Sequence, residues 1–205
     1  RTVDFLTDVG WTAYAGSFVS STFRSFWGQF GWMAVPMDGR VYDALWLLSI
    51  VVVLAVIFGL VEARERGPLP PSILLLVCSA LLTLATFLGY NLTFYQAQGR
   101  YLFPALIPLG LAWSFGLHES LRRRNAWMMG IVLALAGVLD VMRWLARICD
   151  HRWQIVVNGC GALYMLGRRL LPDNLGGWFF AAPYLFMAAL CAMSPFWFIV
   201  PYLTP

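Results

Sequence analysis

From Ala44 to Val61 the chain carries no charged side chain, within the apolar stretch Val41 to Val61 (VYDALWLLSIVVVLAVIFGLV) that Asp43 opens and Glu62 follows. A helix rising about 1.5 Å per residue needs roughly 20 mainly apolar residues to cross a hydrocarbon core about 30 Å thick. This stretch supplies them. The polar loop EARERGPLPP closes it, and Pro68, Pro70 and Pro71 lack the backbone donor that would carry a helix onward. The rest of the chain agrees, for 60% of its 205 residues are hydrophobic and 12% charged, against about half and about a quarter in an average globular chain. A chain this short cannot enclose so much apolar surface away from water, so lipid must solvate it. Disorder, a collagen-like fibre and a disulfide-stapled secreted domain are excluded by the excess of apolar residues, the lack of a three-residue glycine period and the presence of only 4 cysteines.

Three further stretches approach the length of a span: Ser72 to Tyr90, Tyr101 to Leu117, and Ala126 to Met142. The third span carries Pro104 and Pro108, which predicts a kink in its outer half. Asp140, near the end of the fourth, lies three residues before Arg143 and seven before Arg147, spacings that place a neutralising cation on its face. The predicted fold is therefore all-α, a polytopic integral membrane bundle of about four to five transmembrane helices with interfacial helices. Residues 1–40 read as an outer-face interfacial segment and 41–145 as the four-helix region. Residues 146–177 read as an interfacial helix or loop segment, and 178–205, broken by Pro183, Pro195 and Pro201, as a fifth span or a re-entrant segment. Within residues 141–156, Trp144, Leu145, Ile148 and Cys149 fall on one helical face, as expected of a helix lying in the interface. Aromatic residues gather at the predicted ends, among them Trp32, Tyr42, Trp46, Tyr90, Tyr101, Trp127 and Trp178.

All 14 basic residues are arginine. Arg122, Arg123 and Arg124 in one short loop, and Arg64 and Arg66 in another, place those loops on the cytoplasmic side and residues 1–40 and 91–100 on the outer side. The five arginines between 143 and 169 oppose that orientation. The net charge of +4 is too small and scattered for nucleic-acid binding. The chain opens at Arg1 without a methionine or a signal segment, as a fragment or a processed product would.

Two polar-aromatic stretches collect on the outer side, residues 23–42 (FRSFWGQFGWMAVPMDGRVY) and 90–104 (YNLTFYQAQGRYLFP). Each has a plain reading as an interface belt in which aromatics settle at headgroup level and arginine touches lipid phosphate. In the second, Gly99 allows a tight turn and close backbone approach, Arg100 offers a planar fork suited to phosphate, and Tyr101 and Phe103 supply apolar walls. The pattern Phe26-Trp27-Gly28-Gln29-Phe30-Gly31-Trp32 with Pro36, followed by Gln98-Gly99-Arg100-Tyr101-Leu102-Phe103-Pro104, resembles a family of multi-pass bacterial membrane proteins of unknown function. That family is similar to the GT-C glycosyltransferases, and the resemblance covers about residues 20–117. It implies a location in the bacterial cytoplasmic membrane and a polyprenyl-phosphate sugar donor at the outer face. Arg100, Gly99, Tyr101 and Gln98 would bind the lipid phosphate, and Trp27, Gln29, Arg24 and Arg40 would face the substrate. GT-C enzymes use an acidic residue as base, usually in the first outer loop of a much larger protein. Here Asp4, Asp8 and Asp38 precede the first span and Asp43 lies just inside it, none in a matching motif, so no catalytic base is assigned. The alternative function is a non-catalytic accessory subunit that packs on a larger membrane complex and holds lipid there.

Other constellations are weaker. His118 and His151 lack carboxylate or cysteine neighbours at metal-ligand spacing, and read as interface histidines or, less often, as ligands of a haem or chlorin metal; no metal site and no cofactor are expected. Cys149 and Cys160 are candidates for a disulfide, while Cys78 and Cys191 read as small apolar helix residues. Asn91-Leu92-Thr93 fits the glycosylation pattern but abuts a span. Asp38, in the turn Pro36-Met37-Asp38-Gly39, reads as a turn residue.

Overall fold

The computed structural model describes residues 10–30, 33–65, 67–68, 70–146, 152–172 and 176–203. Asp4, Asp8, Trp32, Arg147, Ile148, Cys149 and His151, all weighed above, lie outside the described residues. The elements in chain order are α1 (Trp11–Gly28), a short antiparallel hairpin of β1 (Gln29–Phe30) and β2 (Val35–Pro36), α2 (Gly39–Glu65) and α3 (Pro71–Thr93). A 3-10 helix (Gly99–Ala105) then leads into α4 (Leu106–Ser120). There follow α5 (Arg123–Leu145), α6 (Arg152–Leu170), α7 (Gly176–Ser194), a π-helical turn (Pro195–Ile199) and α8 (Val200–Leu203).

Five helical segments among the described residues are long and apolar enough to cross a membrane: Gly39–Glu65, Pro71–Thr93, Gly99–Ser120, Arg123–Leu145 and Gly176–Ile199. These contain the four expected spans and supply the fifth, so the fold is the expected all-α polytopic bundle. Their outward faces are apolar, as lipid requires: Leu74, Leu75, Leu81 and Leu82 of α3 and Ile107 of α4 are exposed.

The chain divides into two compact units. The first comprises Arg1–Met37, Arg66–Leu111 and Phe198–Pro205. In it α1 packs on the 3-10 helix and the 3-10 helix on α3. Tyr14 donates to the Asn91 carbonyl at 3.1 Å, and its ring lies 5.5 Å from that of Tyr95. Asn91 is 1% exposed; its Nδ2 donates to the Phe87 carbonyl and its Oδ1 accepts from Gln96 N–H at 2.7 Å. The glycosylation triplet therefore begins on a buried residue that fastens the end of α3 to the loop beyond it. The outer half of the third span, where the prolines predict a kink, is the 3-10 helix with Pro104 inside it.

The second unit comprises Asp38–Glu65 and Ala112–Trp197. Asp38 caps α2, its Oδ1 accepting from Arg40 N–H at 2.8 Å. The core joins Val51, Val52 and Ala55 of α2, Leu117 of α4, Leu121, Ala126, Met129 and Leu133 around and within α5, and Ala162 and Met165 of α6. Close helix approach depends on glycine, since a Cβ at Gly116 would stand 2.6 Å from the Val52 carbonyl oxygen. The most extensive pairing is that of α5 with α6. They run antiparallel: Asn158, early in α6, meets Asp140 late in α5 at 2.7 Å, and the Leu171 carbonyl accepts from Arg123, at the start of α5, at 2.9 Å.

Two expectations change here. The stretch 141–156 is divided, with α5 running to Leu145 and α6 starting at Arg152, and Asn158 Nδ2 donates to Asp140 across the pair. Pro183 does not interrupt the last span but lies inside α7. Proline there removes the donor to the Phe179 carbonyl one turn back, and the Tyr164 hydroxyl of α6 donates to that carbonyl instead. Likewise Ser194 Oγ donates to the Cys191 carbonyl, four residues before Pro195, at 3.1 Å. Cys160 is a free thiol on the exposed side of α6; Cys149, its candidate partner, lies outside the described residues.

Candidate functional site

In the first unit the Gln-Gly-Arg-Tyr segment is held against α1. A Cβ at Gly99 would stand 2.5 Å from Phe26 Cα and Cβ and would also strike Phe26 N. The Gly99 N–H donates to Ser25 Oγ at 2.7 Å, and Phe26 meets Phe103 edge-on at 6.1 Å. The close backbone approach expected at Gly99 is thus made to α1. Gln98 caps the 3-10 helix, its carbonyl accepting from Tyr101 N–H at 3.1 Å. Tyr101 donates its hydroxyl to Gln96 Oε1 at 2.7 Å, and its ring lies between Phe87 (6.5 Å) and Tyr90 (6.4 Å). Arg100 is exposed, with its guanidinium carbon 5.5 Å from the Tyr101 ring centre.

Of the residues expected to face substrate, Arg24 is exposed on α1, and Trp27 is half-buried, edge-on to Phe26 at 5.6 Å. Gln29 turns inward: Nε2 donates to the carbonyl of Met33 at 2.9 Å across the hairpin, where Met33 takes the left-handed φ of 71°. Arg40 belongs to the second unit, where its carbonyl accepts from Trp153 Nε1 at 3.0 Å and its guanidinium lies 5.8 Å from that ring. Burial, reinforced by the neighbouring Tyr95, raises the pKa of Tyr14, which keeps this phenol a donor to Asn91.

The second unit contains an open cleft lined by Asp43, Trp46, Leu47, Ile50, Gln154, Val157 and Asn158. Asn158 is 8% exposed; Nδ2 is taken by Asp140, while Oδ1 is buried with no partner among the described residues. Asp140 has Arg143 at 3.9 Å, the neighbour its spacing implied. From the sequence, Asp43 is only an acid just inside a span and Asn158 only a polar residue in a weakly apolar stretch.

The opposite end of this unit is an ion network. Glu62 is 3.0 Å from Arg124 and 4.0 Å from Arg122, and Arg122 is 3.0 Å from the buried Glu119. The Glu119 carboxylate, by hydrogen bond and then by charge, raises the pKa of Arg122 above its ordinary value. Asn125 Nδ2 donates to the Glu119 carbonyl at 3.0 Å. His118 stacks on Phe180 at 5.0 Å, and no cluster of metal-ligating side chains occurs among the described residues.

Fold and surface define an integral membrane protein of the all-α polytopic class. No protein-family model, curated protein or solved structure matches the chain.

Proposed function

We propose that this membrane protein binds a polyprenyl phosphate at Arg100 on the outer face of a bacterial cytoplasmic membrane, in the manner of a GT-C-like glycosyltransferase. The supporting observation is that Arg100 projects from a backbone held in place on both sides, by Gly99 N–H on Ser25 and by the Tyr101 hydroxyl on Gln96, with the Tyr101 ring beside the guanidinium. A planar cation so positioned, next to exposed Phe103 and Tyr101, suits a phosphate attached to an isoprenoid chain. An inverting transfer also needs a general base. The described residues of the first unit include no Asp or Glu; the second reading is a lipid-holding subunit that works beside a catalytic partner.

The test is binding of a long-chain polyprenyl phosphate to the full chain in phosphatidylcholine nanodiscs, with the matching polyprenol as control. A charge-assisted phosphate contact worth about 1.5–3 kcal/mol corresponds to roughly a 10- to 150-fold loss of affinity for Arg100→Ala. Arg100→Lys should lose less. Equal affinity of the wild type and Arg100→Ala would overturn the proposal. Sugar transfer by the purified chain would support the enzyme, and binding without transfer the lipid-holding subunit.

A further inference from the structure

We propose that the cleft between α2 and α6 binds a primary ammonium group carried on an aliphatic chain, with Asp43 and the Asn158 side-chain carbonyl as its acceptors. This rests on the second unit alone and is independent of the reading at Arg100.

The orientation of the Asn158 amide is fixed by chemistry. Its Nδ2 donates to Asp140 Oδ2 at 2.7 Å, and a carboxylate accepts but does not donate. The carbonyl oxygen must therefore be the atom left over, and it is buried without a partner among the described residues on a side chain that lines the cleft. A buried acceptor left unfilled is costly because it has lost water and gained no donor, so such atoms mark places where a donor belongs. Asp43 lines the same cleft, and no hydrogen bond or ion pair engages it among the described residues. Two acceptors with no fixed donor of their own, one of them anionic, call for a cation with several N–H groups.

Among the described residues the cations nearby in the chain are turned elsewhere. The Arg40 guanidinium lies over Trp153 at 5.8 Å, Arg152 over Trp144 at 5.5 Å, and Arg143 beside Asp140 at 3.9 Å; none of them lines the cleft. Trp46 does, and an indole face attracts ammonium.

Apart from Gln154, near the start of α6, the rest of the lining is apolar and ordered by depth. α2 and α6 begin at the same end, as the Trp153 to Arg40 hydrogen bond requires. From Asp43 to Ile50 the groove descends about 10 Å at the α-helical rise, past Leu47 and Val157. A ligand would place its ammonium at the acceptors near the helix starts and a run of methylenes below. A sugar or polyol would find too few donors and too much hydrocarbon.

The experiment uses the full chain in phosphatidylcholine nanodiscs with a long-chain primary amine carrying a photoactivatable diazirine in its tail, and maps the crosslinks by mass spectrometry. Crosslinks should concentrate in peptides holding residues 43–50 and 154–158. n-Dodecylamine should displace them and 1-dodecanol should not. Asp43→Asn, which keeps the side-chain shape and breaks no hydrogen bond or ion pair among the described residues, should lower the yield at these peptides at least tenfold, and Asn158→Leu should lower it as well. Replacing part of the phosphatidylcholine with phosphatidylethanolamine identifies the source of the ammonium: competition supports a lipid headgroup, and its absence alongside n-dodecylamine competition supports a free amine. Crosslinks spread evenly over the lipid-facing helices, or an unchanged yield with Asp43→Asn, would overturn the proposal.

Discussion

Replacing Gly99 with alanine tests the contact on which the Arg100 platform depends. The added methyl would lie 2.5 Å from Phe26 Cα and Cβ, where ordinary contact begins at 3.4 Å. The obstacle is mainly main chain, which no rotamer change can clear, so α1 must withdraw from the 3-10 helix by about 1 Å. Overpacking of this kind costs about 1–3 kcal/mol. The withdrawal also stretches the hydrogen bond from Gly99 N–H to Ser25 Oγ, now 2.7 Å, at about 1 kcal/mol more. The sum, about 2–4 kcal/mol, corresponds to a fall in melting temperature of roughly 5–15 °C for a chain of this length. Thermal unfolding in nanodiscs measures it, and hydrogen exchange across residues 94–105 should rise together with it. Gly89→Ala in α3 is the control, because nothing lies within 4 Å of a Cβ there and alanine favours the helix. A Gly99→Ala protein that melts with the wild type would refute the argument that this glycine is required by Phe26.

Two further outcomes follow from the second unit. Tyr164→Phe leaves the Phe179 carbonyl without the donor that Pro183 cannot supply, so thermal unfolding should register a loss of about 1–2 kcal/mol. Pro183→Ala restores a backbone N–H, and in that background the same tyrosine substitution should cost much less; additive effects in the double-mutant cycle would count against the substitution of one donor for another. Cys160 lies midway along α6, which runs beside α5 between Arg123 and Asp140. With the other cysteines replaced, a membrane-permeant maleimide should label it and a membrane-impermeant one should not from either side, whereas rapid labelling by the impermeant reagent would place α6 at the membrane surface.

The spans were legible because their signal is local. Length, an uncharged run and bracketing prolines are enough to mark Val41 to Val61, and the observed helix Gly39–Glu65 extends it only by polar turns at each end. The last span was harder to read for a reason the structure makes physical. A proline interrupts a helix when its orphaned carbonyl has no other donor, and whether Tyr164 stands beside Phe179 is a matter of tertiary packing. The same limit applies to α6, whose polar residues read as a separate segment until Asn158 is seen against Asp140 and the chain beyond Arg168 and Arg169 against Arg123.

The arginines between 143 and 169 count against the expected orientation only if they all lie on one side. In the hairpin of α5 and α6, Arg143 and Arg152 stand at the end where Asp140 meets Asn158, while Arg168 and Arg169 stand near Leu171 at the other, where Arg123 begins α5. Sixteen residues of helix, about 24 Å at the α-helical rise, separate Arg152 from Arg168. The second group therefore joins the end that already holds Arg122 and Arg124 with Glu62 and adds to its positive charge. By the same geometry Asp43 and Asn158, 115 positions apart in the chain, face one cleft at the opposite end. Neither residue carries a motif, and no spacing rule links them. What joins them is the register of two helices that start side by side, and that register is set by where Trp153 meets Arg40.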